Sequence, residues 1–148
     1  MDLMIKNNCY LISTLSAGKF VEEKAKIPNY YPAIVVPKAL AIGPKLKVMF
    51  GKAYKKGVPI GFGTDAGVFP HGENAKEFIY MTEAGMPIMK ALQAATTTNA
   101  LILDMDKQIG AIEPGFLADI IATNDDPTQD VKAVTNVVFV MKEGIQYK

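Results

Sequence analysis

The segment Val58-Pro59-Ile60-Gly61-Phe62-Gly63-Thr64-Asp65-Ala66-Gly67 passes from a nearly all-apolar stretch into an aspartate. Residues 58–63 have the composition of a strand covered on both faces, so Asp65 stands where a buried strand ends. In parallel α/β barrels that end is the catalytic face, and Asp65 is therefore the first candidate for chemistry. An aspartate after Gly-Thr also serves as a helix N-cap or an Asx-turn residue, and the motif alone leaves those roles open. The one cysteine, Cys9, excludes an intramolecular disulfide, and the apolar run Cys9-Tyr10-Leu11-Ile12 predicts a buried structural thiol rather than a nucleophile. A Cys–His couple would have to use His71, the only histidine.

The elements that must position these residues follow from pattern. Residues 2–8 read as the tail of a helix running into a strand at 9–15, with Ser16–Gly18 breaking the pattern, so that the chain is expected to start in mid-motif. Pro28, Pro32 and Pro37 make 27–37 an irregular connection. A helix then begins with Pro44 in its first turn; Leu46, Met49, Phe50, Ala53 and Tyr54 recur at helical spacing, and Gly57 stands where a left-handed C-terminal cap belongs. The lysines at 45, 47, 52, 55 and 56 form its solvated face. After the strand at 58–63 come helices at 74–84, closed by Gly85, at 87–95, and at 99–103. Thr96, Thr97, Thr98 and Asn99 are expected to cap and join the last two, and Met81, Met86 and Met89 to fill core. Strand, helix, strand, helix implies a parallel sheet or barrel. From Ile109 the rhythm changes to short strands at 109–112, 118–123, 134–141 and 145–148, with turns at Glu113-Pro114-Gly115 and Glu143-Gly144, an antiparallel style.

Composition narrows the partners. The chain of 148 residues, 49% hydrophobic and 21% charged, has the makeup of a soluble domain with a core. Its formal net charge is +1 and all sixteen basic residues are lysine, which favours neither a phosphate-neutralising field nor arginine readout of bases, so nucleic acid is not an expected partner. No apolar segment reaches the roughly 20 residues that span a bilayer, no membrane partner is expected, and a cytoplasmic location is the default. The absence of a Gly-x-Gly-x-x-Gly or phosphate loop argues against nucleotide binding.

Further along the chain come Glu83-Ala84-Gly85-Met86, Ala91-Leu92-Gln93-Ala94-Ala95-Thr96, then Gly110-Ala111-Ile112-Glu113-Pro114-Gly115-Phe116-Leu117-Ala118-Asp119, Asp126-Pro127, and Val137 through Gly144. With Gly63-Thr64-Asp65-Ala66-Gly67 and Pro70-His71-Gly72-Glu73 ahead of them, this order closely resembles the C-terminal part of the metal-dependent amidohydrolase superfamily, in particular its Xaa-Pro dipeptidase-like, carboxypeptidase-like and imidazolonepropionase-like branch. The resemblance covers essentially the whole chain. It implies an α/β fold in which residues 1–104 form part of a (β/α)8 barrel, with strands seven and eight at 9–15 and 58–63, and residues 105–148 supply strands of a small β-sandwich.

The resemblance also implies a chemistry, metal-dependent hydrolysis of a C–N bond in a small amide or dipeptide. One or two divalent ions, usually zinc, activate a water; the eighth-strand aspartate, here Asp65, ligates metal and takes the water's proton, which it later passes to the leaving amine. The family's remaining ligands, a His-x-His pair, a lysine or glutamate and two further histidines, precede strand seven and have no counterpart here. His71 is implied to be a substrate-contacting loop residue, with a hydrogen-bonded surface role and metal ligation as the alternatives. Asp119 has a recognisable place in the motif, and its turn position predicts backbone hydrogen bonding. The chain is thus expected to be a fragment, inactive alone, that self-associates or pairs with a missing N-terminal part. A non-catalytic interaction module is the rival expectation.

Overall fold

The computed structural model describes residues 1–148. Six helices appear in the order α1 (Asp2–Lys6), α2 (Leu15–Ala25), α3 (Val36–Lys55), α4 (Lys76–Glu83), α5 (Ile88–Gln93) and α6 (Asn99–Ile102), with a π-helical turn, Ala94–Thr98, between the last two. Three strands follow, β1 (Ile120–Thr123), β2 (Val137–Lys142) and β3 (Ile145–Gln146), with a 3-10 turn at Val131–Thr135 ahead of β2. They form an antiparallel sheet in the order β1-β2-β3. Ile121 pairs with Val140, a register shift falls between Ala122 and Thr123, and Lys142 pairs with Ile145. The turn between β2 and β3 is the expected Glu143-Gly144, both in the left-handed region at φ 50° and 82°, a backbone twist that matches a two-residue hairpin.

The parallel element is smaller than expected. Where two strands were anticipated at 9–15 and 58–63, one parallel bridge joins Leu11 to Ile60, built from Leu11 N–H to the Pro59 carbonyl at 2.8 Å and Gly61 N–H to the Leu11 carbonyl at 3.0 Å. The first segment cannot extend the ladder because Thr14 turns left-handed at φ 47° and Leu15 begins α2. The run read as a break at Ser16–Gly18 is thus the first part of a helix. Cys9 is exposed rather than buried: Asn8 at φ 51° turns the chain out of α1, and Tyr10 and Ile12 beside it are exposed as well.

The helix expected from Pro44 begins at Val36, carries Pro37 in its first turn and runs through Pro44. Pro44 forfeits one backbone hydrogen bond, a loss offset by packing: Gly43 next to it is buried against Gly18 of α2. Segment 109–112 is not a strand. Gly110, at φ 92°, lies so close to α6 and the π-turn that a Cβ there would meet the Thr96 carbonyl and Ala100 Cβ at 2.9 Å, and Leu117 N–H closes a loop back to the Gln108 carbonyl.

The core gathers Leu15, Phe50, Ile60, Met81, Met86, Ala91 and Ala94. Met89 is the exception among the expected core methionines; it points outward from α5 while Ala91 takes the inner position. The lysines of α3 are solvated as expected; Lys47 pairs with Glu83 at 2.7 Å, and Lys56, just past the helix, pairs with Asp2 at 2.6 Å.

Candidate active site

Asp65 follows directly on the bridged segment. Its backbone is left-handed at φ 56°, a conformation that aspartate tolerates better than most residues and that recurs where function holds a backbone under strain. Its carbonyl accepts from Val68 N–H at 3.2 Å, and Gly67 N–H donates to the Phe69 carbonyl at 3.1 Å. Asp65 does not cap a helix, since the next one, α4, starts only at Lys76. Asp65 is exposed.

Two anchors hold the loop that Asp65 opens. Phe69 is buried and its ring centroid lies 6.4 Å from that of Phe20 on α2. Asn74 reaches across the loop: its amide nitrogen donates to Thr64 Oγ1 at 3.3 Å, and its amide oxygen accepts from Gly72 N–H at 3.3 Å. His71 is exposed in the turn completed by Gly72 at φ 94°. Thus Asp65 and His71 share one loop, tied at Thr64 and at Gly72 by a single asparagine.

Glu77 was not singled out by its sequence context. It is buried, and its carboxylate accepts from Leu15 N–H at 2.8 Å and from Ser16 N–H and Ser16 Oγ, both at 2.6 Å. It therefore caps the N-terminus of α2 from another helix, meeting the unpaired N–H groups and the positive end of the dipole. Burial pushes the Glu77 carboxyl above the usual carboxylate range, while the hydrogen bonds from Ser16 and Leu15 pull it down. The one available signal is that Leu15-Ser16 starts a helix with no capping side chain of its own. Asn99 joins the π-turn to α6 as expected, and its side chain also accepts from Phe62 N–H at 3.0 Å and donates to the Phe62 carbonyl at 2.8 Å.

Asp119 has the structural role its turn position predicts. It accepts from Glu143 N–H at 2.8 Å and pairs with Lys142 Nζ at 2.7 Å, tying β1 to the β2–β3 turn. The Lys142 hydrogen bond lowers the carboxyl pKa.

A bridged apolar segment ending in a loop-borne aspartate, with helices before and after it and an antiparallel sheet at the end of the chain, is the outline of the C-terminal part of an amidohydrolase. The family model described as "Amidohydrolase family" matches residues 1–146, and the chain belongs to that family. The solved structure of a Xaa-Pro dipeptidase with methionine bound in its active site is 52% identical with a TM-score of 0.96, covering 99% of this chain and 36% of that one. A prolidase complexed with N-methylphosphonate-L-proline is 26% identical with a TM-score of 0.85, covering 99% of this chain and 36% of that one. Ochratoxinase of Aspergillus niger is 34% identical over 101 residues, 65% of this chain and 21% of that protein. The chain spans about a third of the length of the similar structures and about a fifth of the length of the curated relative.

Members of the superfamily generally use divalent metals. Within residues 1–148 no three His, Cys, Asp or Glu side chains converge, so these residues do not by themselves form a ligand cage.

Proposed function

We propose that Asp65 is the catalytic carboxylate of an enzyme that hydrolyses an amide bond in small dipeptide-like substrates, Xaa-Pro dipeptides being the first to test. The observation that carries this is the placement of Asp65, exposed and left-handed at the end of the bridged segment, in a chain that is 52% identical over 99% of its length to part of a structure named as a Xaa-Pro dipeptidase. Either carboxylate oxygen is suited to take the proton of the attacking water and return it to the leaving amine. Asp65 is also proposed as one ligand of a divalent ion, zinc in the first instance, whose other ligands lie outside residues 1–148. His71, on the same loop, is proposed to contact substrate.

In this proposal residues 1–104 belong to a (β/α)8 barrel, with 9–15 and 58–63 in the places of strands seven and eight, and residues 105–148 to a small β-sandwich. The isolated chain, without the remaining ligands, is a poor catalyst or none. A second reading, a non-catalytic module that binds through its open strand edges, is favoured by the parallel bridge, which stands alone between two segments with no further strand beside either. Metal content and hydrolysis separate the two.

The test is Asp65→Asn in a full-length protein containing this chain. The amide fills the same space but accepts no proton, so turnover of Xaa-Pro dipeptides, compared at bound metal brought equal to wild type because Asp65 is also a proposed ligand, should fall by about 10²–10⁴ at unchanged thermal stability. Near-normal turnover in that variant would overturn the assignment.

A further inference from the structure

Asn99 makes a contact that its place in a helix does not require. In the bridged segment, Pro59 and Gly61 turn their backbone groups toward Leu11; strand alternation turns those of Phe62 to the opposite edge. There the Asn99 side chain accepts from Phe62 N–H and donates to the Phe62 carbonyl, at 3.0 and 2.8 Å. One amide thereby supplies both halves of the pairing that a neighbouring strand would give, at a residue three positions before Asp65.

Three local features bring Asn99 to that edge. The π-turn Ala94–Thr98 shifts the helical register just ahead of it, and such turns recur at functional positions. Thr96 and Thr97 support the turn by donating their hydroxyls to the carbonyls of Leu92 and Gln93, at 2.7 and 3.4 Å, in competition with the regular helical bonds. Close approach needs Gly61, where a Cβ would stand 2.6 Å from Ile102 Cδ1 and 3.1 Å from Asn99 Oδ1.

We propose that Asn99 is a positioning residue for Asp65: by clamping the Phe62 peptide groups on the edge away from Leu11, it fixes where the segment ends and where the Asp65 loop begins. This rests on the proposed role of Asp65. Misplacing a reacting group by about 1 Å costs up to about 100-fold in rate, so loss of the clamp should appear in kcat and little in KM.

The experiment compares Asn99→Ala, Asp65→Asn and the double variant in the full-length protein, with Xaa-Pro dipeptides as substrate and amide hydrogen exchange at Phe62 as a second readout. The expected result is slow Phe62 exchange in the wild type, faster exchange in Asn99→Ala, kcat lowered about 10–100-fold with KM changed less than about twofold, and less than about twofold further loss when Asn99→Ala is added to Asp65→Asn. If Asn99→Ala does not fold, the near-isosteric Asn99→Asp variant carries the same test, because it keeps the acceptor for Phe62 N–H and sets an oxygen against the Phe62 carbonyl. Fast Phe62 exchange in the wild type, unchanged kcat in the Asn99 variant, or a full multiplicative loss in the double variant would each overturn the inference while leaving Asp65 in place. Full activity of Asp65→Asn would instead remove the role of Asp65, and that of Asn99 with it.

Discussion

Glu77 shows how much a single buried carboxylate can organise. It accepts three hydrogen bonds from the first residues of α2, and burial raises its pKa from the ordinary 4.5. A carboxyl whose folded pKa is raised contributes stability that is fully present below the unfolded pKa and is lost as pH rises through the folded one. Glu77→Gln removes that titration and also the acceptor for one backbone N–H. The advantage of wild type over this variant should therefore be greatest near pH 4 and shrink toward neutrality, as read from denaturation midpoints across that range. A difference constant with pH would mean that Glu77 titrates alike in the folded and unfolded chains.

At the scale of elements, the crossing of α2 and α3 is set by two glycines. A Cβ on Gly43 would stand 2.9 Å from Glu22 Cβ and 3.0 Å from the Gly18 carbonyl, and one on Gly18 would stand 2.5 Å from Leu46 Cδ1. Leu46 has a flexible end that can move, whereas the Gly18 carbonyl is backbone. Gly43→Ala should therefore force the helices apart and cost about 1–3 kcal/mol, even though alanine is the better helix former by about 1 kcal/mol. Urea denaturation measures this, and an unchanged or higher midpoint would show that the crossing relaxes freely. The crossing matters for the site because α2 carries Phe20, the partner of Phe69 in the Asp65 loop.

For the whole molecule the surface area is informative. The chain exposes 9234 Å², against roughly 7400 Å² expected for a compact monomer of its mass. Large apolar side chains contribute to the excess: Ile34 is 89% exposed, Ile112 82% and Leu3 73%. Burying apolar surface is worth roughly 25 cal/mol per Å², so the isolated chain is expected to self-associate at micromolar concentration. Light scattering reads this directly, and a sharp monomer peak would count against it. No helix is long and apolar enough to cross a membrane.

Local pattern in the sequence determined most of α3, the helices α4 to α6, the antiparallel tail, the left-handed Gly57 and Gly85 after α3 and α4, the Glu143-Gly144 turn and the loop-borne Asp65, because each depends on residues within a few positions of one another. Tertiary structure alone decided the rest. Ser16–Gly18 became helix because Glu77, 61 positions from Ser16, supplies the cap; Pro44 was absorbed into α3 because Gly43 packs on Gly18. Cys9 and Tyr10 lie exposed because Asn8 turns the chain outward, while Leu11 next to them packs against the core. Asn99 joins the π-turn to α6 as its position predicts, but its side chain turns to Phe62, 37 positions away, because that residue presents an edge that no strand occupies. A polar side chain bonds whichever unpaired backbone group the fold brings within about 3 Å, and no spacing in the sequence records which group that will be.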